Sequence, residues 1–175
     1  RELAMLQARR EEATKAGISP QLIEDVLRRF MRESYSNENQ FGFKTLNPAI
    51  NKIVIVGGYG KMGQLLARYL RASGYPISIL DRNDWDVAER ILTNADVVIV
   101  SVPIDHTLET IERLKPYLTE NMLLADLTSV KRAPLAKMLD VHKGAVVGLH
   151  PMFGPDIASM AKQVVVRCDG RFSER

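Results

Sequence analysis

The sequence has little that would cross-link it, hold it in a membrane or attract nucleic acid. Its one cysteine, Cys168, excludes an internal disulfide and is typical of a reducing compartment such as the cytoplasm. No apolar run approaches the ~18 residues of a membrane span, and the polar start is unlike a signal peptide. The 24 Lys and Arg are nearly balanced by 21 Asp and Glu, without a basic block. We therefore predict a cytoplasmic protein whose partners include neither membrane nor nucleic acid.

The hydrophobic share of the 175 residues, 46%, is enough to form a core without cross-links. A folded chain of this size buries roughly 70% of the surface that its unfolded form exposes. This supports one full core, or one core with a small appendage. The sequence begins without methionine and stops in a polar segment, and we expect it to be a fragment of a longer protein.

The first 40 residues have a helical pattern. One helix is predicted over 2–16, where Gly17 ends it, and a second begins after Ser19 and Pro20, which suit a helix start. An apolar stripe lies on the second helix at the i, i+4 and i+8 spacing, formed by Leu22, Ile23, Val26, Leu27, Phe30 and Met31. Two short helices cannot bury this stripe alone, so another chain or sequence outside this one is expected to cover it.

Beyond residue 51, short β-rich runs alternate with amphipathic helical patterns. Runs such as Val97–Val100 are apolar on both faces, as in a parallel sheet with helices on both sides. The alternation predicts an α/β domain with a doubly wound, mostly parallel Rossmann-type sheet. The predicted strands are Lys52–Val56, Ile77–Leu80, Val97–Val102, Met122–Asp126, Ala145–Leu149 and Val164–Cys168, and the predicted helices are at 61–73, 85–93, 105–115 and 131–140. We divide the chain into a helical segment, 1–40, a linker, 41–51, and this domain, 52–175.

A glycine-rich turn joins the first predicted strand of this domain to its first helix. It reads Gly58-x-Gly60-x-x-Gly63, and Asp81 follows at the end of the next strand. In dinucleotide-binding domains these glycines permit a tight turn, approach of the backbone to a pyrophosphate, and close packing of the helix. An acidic residue such as Asp81 binds the adenosine ribose and favours NAD over NADP, a preference that Arg82 leaves open.

We therefore predict NAD as the cofactor, the alternative being a glycine-rich turn in an α/β domain that binds no nucleotide. The predicted cofactor residues are Gly58, Tyr59, Gly60, Lys61, Met62, Gly63, Asp81, Arg82, Ser101, Val102 and Pro103.

Polar residues also follow the later strands, where such a sheet places the nicotinamide half of a dinucleotide. His150 ends one strand, and a neutral imidazole suits removal of a hydroxyl proton as hydride leaves the same carbon. Ser129 would orient that hydroxyl or the imidazole, and Lys131 would attract an anionic substrate. Alternatively, His150 is structural, Ser129 caps the helix over 131–140, and Lys131 is a surface lysine. The three histidines lack metal-ligand spacing, so no metal site is predicted.

Several segments of residues 50–175 resemble the prephenate dehydrogenase family. They are Gly57-Gly-Tyr-Gly-Lys-Met-Gly63, Asp126-Leu-Thr-Ser-Val-Lys131, Gly148-Leu-His-Pro-Met-Phe-Gly-Pro-Asp156 and Gln163-Val-Val-Val-Arg-Cys-Asp-Gly170. The N-terminal helices resemble the end of a chorismate mutase domain, in Glu24-Asp-Val-Leu-Arg-Arg29 and Arg32-Glu-Ser-Tyr35. Together they resemble the bifunctional bacterial chorismate mutase/prephenate dehydrogenases of tyrosine biosynthesis.

This resemblance implies the oxidative decarboxylation of prephenate by NAD⁺ to 4-hydroxyphenylpyruvate, CO₂ and NADH. It implies that His150 accepts the proton of the ring hydroxyl, and that Ser129 contacts both that hydroxyl and the histidine. Lys131 would lie at the cofactor and substrate edge of the site. Asp156 would lie at its entrance.

The resemblance also implies that parts of both sites lie outside this sequence. The family's arginine for the ring carboxylate belongs to a helical, dimer-forming domain expected after residue 175. The first long helix of the mutase domain is absent, and Arg1, Glu2, Ser34 and Glu38 match positions that line the pocket for chorismate only as remnants. We expect the chain to bind NAD with little activity alone and to belong to a homodimer when full length. The open alternatives are another NAD-linked dehydrogenase or reductase of hydroxy acids, and a dinucleotide-sensing module without catalysis.

Overall fold

The structure, a computed structural model, describes residues 2–38, 47–160 and 163–172. These residues form two compact units. One contains the two N-terminal helices together with residues 158–160, and the other contains the rest of the described chain. Within the described residues, no helix is both long and apolar enough to cross a membrane.

The helical unit contains α1 (Glu2–Lys15) and α2 (Pro20–Glu38). Gly17 follows α1 with φ +71°, a left-handed conformation that glycine adopts without the strain of a Cβ. At the start of α2, the backbone N–H of Leu22 donates to Ser19 Oγ at 3.4 Å. Both helix boundaries agree with those predicted from the glycine and from the Ser-Pro pair.

Charged pairs join the helices of this unit, and its apolar stripe stays exposed. Glu24 of α2 accepts from Arg28 at 2.7 Å and also pairs with Arg10 of α1. These contacts lower the pKa of the Glu24 carboxyl, and the hydrogen bond from Arg28 has the larger effect. The stripe is most exposed at Leu22 (57%), Val26 (55%) and Phe30 (74%). As expected, the two helices do not bury it by themselves.

The second unit is built on a six-stranded sheet. Its strands are β1 (Ile53–Val56), β2 (Ile77–Leu80), β3 (Val97–Val100), β4 (Leu123–Asp126), β5 (Ala145–Pro151) and β6 (Val165–Asp169). Its helices are α3 (Lys61–Ala72), α4 (Ala88–Leu92), α5 (Ile104–Leu114) and α6 (Arg132–Val141). Short 3₁₀ turns occur at Trp85–Val87 and Lys115–Tyr117.

The strand order is β2-β1-β3-β4-β5-β6, with β1 to β5 parallel and β6 antiparallel to β5. This confirms the predicted doubly wound, mostly parallel α/β sheet. Most boundaries lie within one residue of the prediction, but β5 continues two residues further, to Pro151, and two other elements differ as well. The third strand ends at Val100, since the chain leaves the sheet before Pro103, the cap residue of α5. The helix predicted over 85–93 is a 3₁₀ turn followed by the short α4.

Helices cover the sheet on both faces because the chain reverses its direction of travel across the sheet after β2. Right-handed crossovers then place α3 on one face and α4, α5 and α6 on the other. Ile53 and Ile55 of β1 pack with Ala67 of α3, whereas Val54 and Val56 belong to the larger core on the opposite face. The reversal leaves a switch point between the carboxyl ends of β1 and β3, where ligands bind in sheets of this type.

Candidate functional site

A cleft of about 660 Å³ opens at this switch point, a size typical of small-molecule sites. It lies between the turn after β1, the residues after β2 and the start of α5. The predicted cofactor residues that line it are Tyr59, Gly60, Asp81, Arg82, Ser101, Val102 and Pro103. The other four, Gly58, Lys61, Met62 and Gly63, lie in the same turn or in the first residues of α3.

The turn after β1 needs glycine because neighbouring atoms leave no room for side chains. A Cβ on Gly63 would lie 2.7 Å from the carbonyl oxygen of Gly57, which would force the start of α3 away from the turn. The spacing assigns the tight turn to Gly58, but this is wrong: the left-handed residue is Gly57, at φ +78°. Gly58 is required for another reason, since its Cβ would lie 2.7 Å from the side chain of Ile79.

The helix after this turn presents an uncapped N-terminus. Its cap residue is Gly60, and among the residues that the structure describes no side chain caps the first turn of α3. Gln64 of α3 stabilises the turn, because its Nε2 donates to the carbonyl oxygen of Tyr59 at 2.7 Å. Free N–H groups and the positive end of the helix dipole attract phosphates. The geometry therefore suits an anionic group at the start of α3.

Asp81 lies directly after β2 and faces the cleft. Its Oδ2 accepts from the backbone N–H of Tyr59 at 3.1 Å, and its Oδ1 accepts from that of Arg82 at 2.8 Å. Each carboxylate oxygen can accept more than one hydrogen bond. The carboxylate is thus held in place and keeps acceptor capacity for hydroxyl groups in the cleft.

The cleft is also lined by residues that are not predicted from the sequence, among them Trp85, His106 and Arg113. The Arg113 guanidinium carbon lies 4.1 Å from the centroid of the Trp85 ring, a cation–π contact that orders one wall. These residues come from a 3₁₀ turn and from α5, and they meet only in the folded unit. Neither composition nor spacing signals such a contact.

Ser129 and His150 both lie at the carboxyl edge of the sheet. Asp126, the last residue of β4, is in register with Gly148 of β5. Ser129 follows Asp126 by three residues and His150 follows Gly148 by two, so both lie near this edge. Ser129 is exposed and His150 is half-buried within the end of β5. Among the described residues neither side chain has a hydrogen-bond partner. Both are therefore available to a bound molecule.

The alternative interpretation of Ser129 as a helix cap is wrong. The helix begins at Arg132, its cap residue is Lys131, and no side chain caps it. The cap position is two residues beyond Ser129, so this hydroxyl does not serve the N–H groups of α6.

Lys131 is not a surface lysine. Its side chain is 13% exposed and pairs with the fully buried Asp126, with 2.7 Å between Nζ and Oδ2. Nζ also donates to the carbonyl oxygen of Leu149 at 2.6 Å. Thr128 donates to the same Asp126 oxygen through its backbone N–H, at 3.0 Å, and through its hydroxyl. A buried ion pair thus connects the end of β4 to the end of β5, next to His150 in the chain.

Asp156 lines a different cleft, of about 650 Å³, beside α3. It shares this cleft with Lys61, Arg68 and Arg71. The structure therefore does not bring Asp156 together with the residues around Asp81. Its predicted place at the entrance of the site stays a prediction.

Two other predictions concern the mutase remnant and the absence of a metal site. Arg1, and the side chains of Glu2, Ser34 and Glu38, lie outside the described residues, so their role as mutase remnants stays a prediction. Across the ranges that are described, no three His, Cys, Asp or Glu side chains come together as candidate metal ligands.

Comparison with known families decides what kind of domain this is. Residues 66–170 match the family model described as prephenate dehydrogenase, nucleotide-binding domain. The chain belongs to the prephenate dehydrogenase family. The resemblance of residues 50–175 to this family is confirmed, and the second unit contains its nucleotide-binding domain. The resemblance of the N-terminal helices to chorismate mutase stays a prediction.

Individual relatives agree with this membership. The chain is 86% identical over its whole length to T-protein from Haemophilus influenzae, and 56% identical over 99% of its length to T-protein from Enterobacter agglomerans. It spans 46% of each, or about half of their length. Among solved structures, prephenate dehydrogenase from A. aeolicus in complex with hydroxyphenyl propionate and NAD⁺ is similar with a TM-score of 0.58. That match covers 73% of this chain and 53% of the other at 22% identity, and it supports the Rossmann-type fold.

Proposed function

We propose that this chain is the cofactor-binding part of an NAD-dependent prephenate dehydrogenase. The observation that carries the proposal is the His150 side chain at the carboxyl edge of the sheet, which has no hydrogen-bond partner among the described residues, in a chain of this family. The same edge carries the cleft at the switch point between β1 and β3. An imidazole and a dinucleotide cleft on one sheet edge suit removal of a hydroxyl proton coupled to hydride transfer.

NAD fits the residues of the cleft. The N-terminus of α3, with Gly60 as its cap residue and no side-chain cap among the described residues, suits a pyrophosphate. The Asp81 carboxylate suits ribose hydroxyls and disfavours a 2′-phosphate. When bound, NAD⁺ supplies a hydride acceptor. The residues proposed to hold it are Gly58, Tyr59, Gly60, Lys61, Met62, Gly63, Asp81, Arg82, Ser101, Val102 and Pro103.

The proposed chemistry places a proton acceptor and a hydrogen-bonding group at the substrate's ring hydroxyl. His150 accepts the hydroxyl proton as the carbinol carbon loses hydride, and Ser129 orients that hydroxyl. The electron pair of the bond to the ring carboxylate then moves into the ring, CO₂ leaves, and the ring becomes aromatic. His150 returns its proton to the phenolic oxygen, so the products are 4-hydroxyphenylpyruvate, CO₂ and NADH.

We place the remaining parts of the full activity outside this chain, which spans about half of its relatives' length. A cation for the ring carboxylate of prephenate is expected from a segment beyond residue 175, with Asp156 near the entrance. The full-length protein is proposed to be a cytoplasmic homodimer that also carries chorismate mutase activity. Its mutase pocket would include Arg1, Glu2, Ser34 and Glu38.

The decisive experiment compares substrates in the full-length protein. We expect NADH formation from prephenate and NAD⁺, less with NADP⁺, and none from simple 2-hydroxy acids. Turnover of 2-hydroxy acids without turnover of prephenate would contradict the proposal and favour another dehydrogenase. Tight NADH binding with no hydride transfer to any of these substrates would instead favour a sensing module.

The same assay on the 175-residue chain tests the division of the site. We expect NADH binding, measured by fluorescence titration, without turnover of prephenate. Turnover equal to that of the full-length protein would contradict the expectation that part of the substrate site lies elsewhere.

A further inference from the structure

We propose that Asp126 and Lys131 are positioning residues for His150, an inference that rests on the proposed function. The pair ties the end of β4 to the backbone that immediately precedes the histidine. Its role is thus to set where the imidazole lies, without contact with substrate or cofactor.

The ammonium group of Lys131 is fully occupied within the protein. It has three N–H donors. They have three acceptors nearby: Asp126 Oδ2 at 2.7 Å, the Leu149 carbonyl oxygen at 2.6 Å and the Asp126 carbonyl oxygen at 3.4 Å. No donor remains for an anionic substrate while these contacts hold.

The carboxylate of Asp126 is fixed as firmly as the lysine. It is fully buried, and its Oδ2 accepts from Lys131 and from both the backbone and the hydroxyl of Thr128. An apolar pair of similar volume often stabilises such a position as well as a buried ion pair does. Unlike an apolar pair, this ion pair forms directional hydrogen bonds, and these fix the position of each side chain.

The link to His150 passes through a single peptide group. The peptide bond between Leu149 and His150 is planar, so a hydrogen bond that holds the Leu149 carbonyl oxygen also fixes the backbone nitrogen of His150. The imidazole has no hydrogen-bond partner among the described residues, so its position depends on this backbone.

Gly148 makes the contact possible. A Cβ at this position would lie 2.9 Å from Cδ of Lys131 and 3.4 Å from Oδ1 of Asp126. The stem of the lysine therefore passes over the glycine on its way to Leu149. A side chain at position 148 would force the stem of the lysine to move.

A direct substrate contact by Lys131 is the competing role, and kinetic parameters separate the two. A residue that positions the proton acceptor affects kcat and leaves substrate KM nearly unchanged, whereas a residue that binds substrate equally in ground and transition states affects KM. Asp126 distinguishes them further. Its loss should impair a positioning pair, but it should free the lysine if the lysine binds substrate.

The experiment measures kcat, the KM for prephenate and NADH affinity in the full-length protein carrying Asp126→Asn, Lys131→Met or both. We expect each single variant to lose kcat by about 10- to 100-fold, the scale of a ~1 Å misplacement. KM and NADH affinity should stay close to wild type. The double variant should be no slower than the slower single one, because the two residues act as a unit. Lys137→Met is the matched control. Lys137 of α6 forms a partly exposed ion pair with Glu112 of α5, and loss of this pair should not change kcat.

The inference is overturned if Lys131→Met raises KM at unchanged kcat, or if both single variants keep wild-type kcat. If a single variant does not fold, the neutral double variant and Gly148→Ala replace it, with the same expected loss of kcat. Wild-type kcat in either of those would overturn the inference equally.

A readout without substrate separates this inference from the proposed function. We expect hydrogen exchange of the Leu149 and His150 amides to be faster in Asp126→Asn and Lys131→Met, and unchanged in Lys137→Met. Unchanged amide exchange in all three variants would overturn the inference that Asp126 and Lys131 position His150, whichever substrate the enzyme oxidises. Failure of the wild-type protein to oxidise prephenate would instead contradict the proposed function alone.

Discussion

Among the described residues, the amino edge of the sheet provides a partner for the buried His142 ring, whereas at the carboxyl edge the half-buried His150 ring and one buried oxygen of Asp126 have none. At the amino edge, His142 is 2% exposed and its Nε2 donates to the Met122 carbonyl oxygen at 2.9 Å, while Arg171 donates to the carbonyl oxygen of His142 at 2.6 Å. At the carboxyl edge, within the described residues, the His150 ring has no partner and the buried Oδ1 of Asp126 has no donor.

Aspartates show the same contrast. At the amino edge, Asp96 Oδ2 accepts from the backbone N–H groups of Asn51 and Lys52 at 2.6 and 2.9 Å, which joins the start of β1 to the start of β3. At the carboxyl edge, Asp81 also accepts from backbone, but it faces an open cleft. An unpaired polar group weakens a fold, so an accessible one such as the His150 ring marks where a ligand can take the place of an internal partner.

The largest expected effect comes from the histidine of the carboxyl edge. His150→Asn in the full-length protein should lower kcat by about 10²- to 10⁴-fold, because the proton acceptor is lost. NADH affinity and the unfolding free energy should change little, since the ring has no partner within the described part of the chain. Steady-state kinetics and urea denaturation measure these quantities. Near-wild-type turnover would contradict the assignment of His150 as the proton acceptor at the carboxyl edge.

A glycine pair tests the cleft itself. Gly63→Ala should cost about 1–3 kcal/mol in stability or nucleotide binding, because its Cβ would lie 2.7 Å from the backbone of Gly57 and Gly58. Gly154→Ala is the control, with no atom within 4 Å of its added Cβ. NADH titration and thermal melting of the 175-residue chain compare the two. Equal behaviour would show that the turn tolerates a side chain.

The histidine of the amino edge should have the opposite profile to His150. His142→Phe should lower the unfolding free energy by about 1–3 kcal/mol, because the buried Met122 carbonyl loses its donor. The kcat of the folded full-length enzyme should not change. A fall in kcat with unchanged stability would reverse the roles assigned to the two edges.

The smallest expected effect is a pH dependence from the same histidine. Burial lowers the pKa of His142 below its ordinary 6.5, although the contact with Met122 opposes this shift. The unfolded chain therefore binds a proton that the folded chain resists, so stability is full above pH 6.5 and falls as the pH drops below it. The slope is at most about 1.4 kcal/mol per pH unit. The difference in melting temperature between the more stable wild type and His142→Phe should become smaller below pH 6.5, since only wild type loses stability there, and parallel curves would contradict this.

Much of this architecture can be predicted from the sequence, because strand and helix periodicity is a local property. The glycine spacing and Asp81 predict the cleft, and the position of His150 near the end of a strand predicts its place at the carboxyl edge of the sheet. Other features depend on the folded backbone. The left-handed residue is Gly57 and not Gly58, since spacing does not record φ. The buried state of Lys131 depends on the approach of two strand ends.

The contact between Arg113 and Trp85 shows the same limit, because it joins residues from separate elements across the cleft. No local pattern distinguishes this arginine from a solvated one. The sequence likewise carries no signal that assigns His142 to the amino edge and His106 to the cleft.

The most direct test of the division between the edges uses the three histidines as reporters. On addition of NAD⁺ to the 175-residue chain, we expect the Cε1–H resonance of His106, which lines the cleft, to shift in the NMR spectrum. His150, at the same edge, should shift as well. His142, at the opposite edge, should not. A shift confined to His142, or none at all at saturating NAD⁺, would contradict the account.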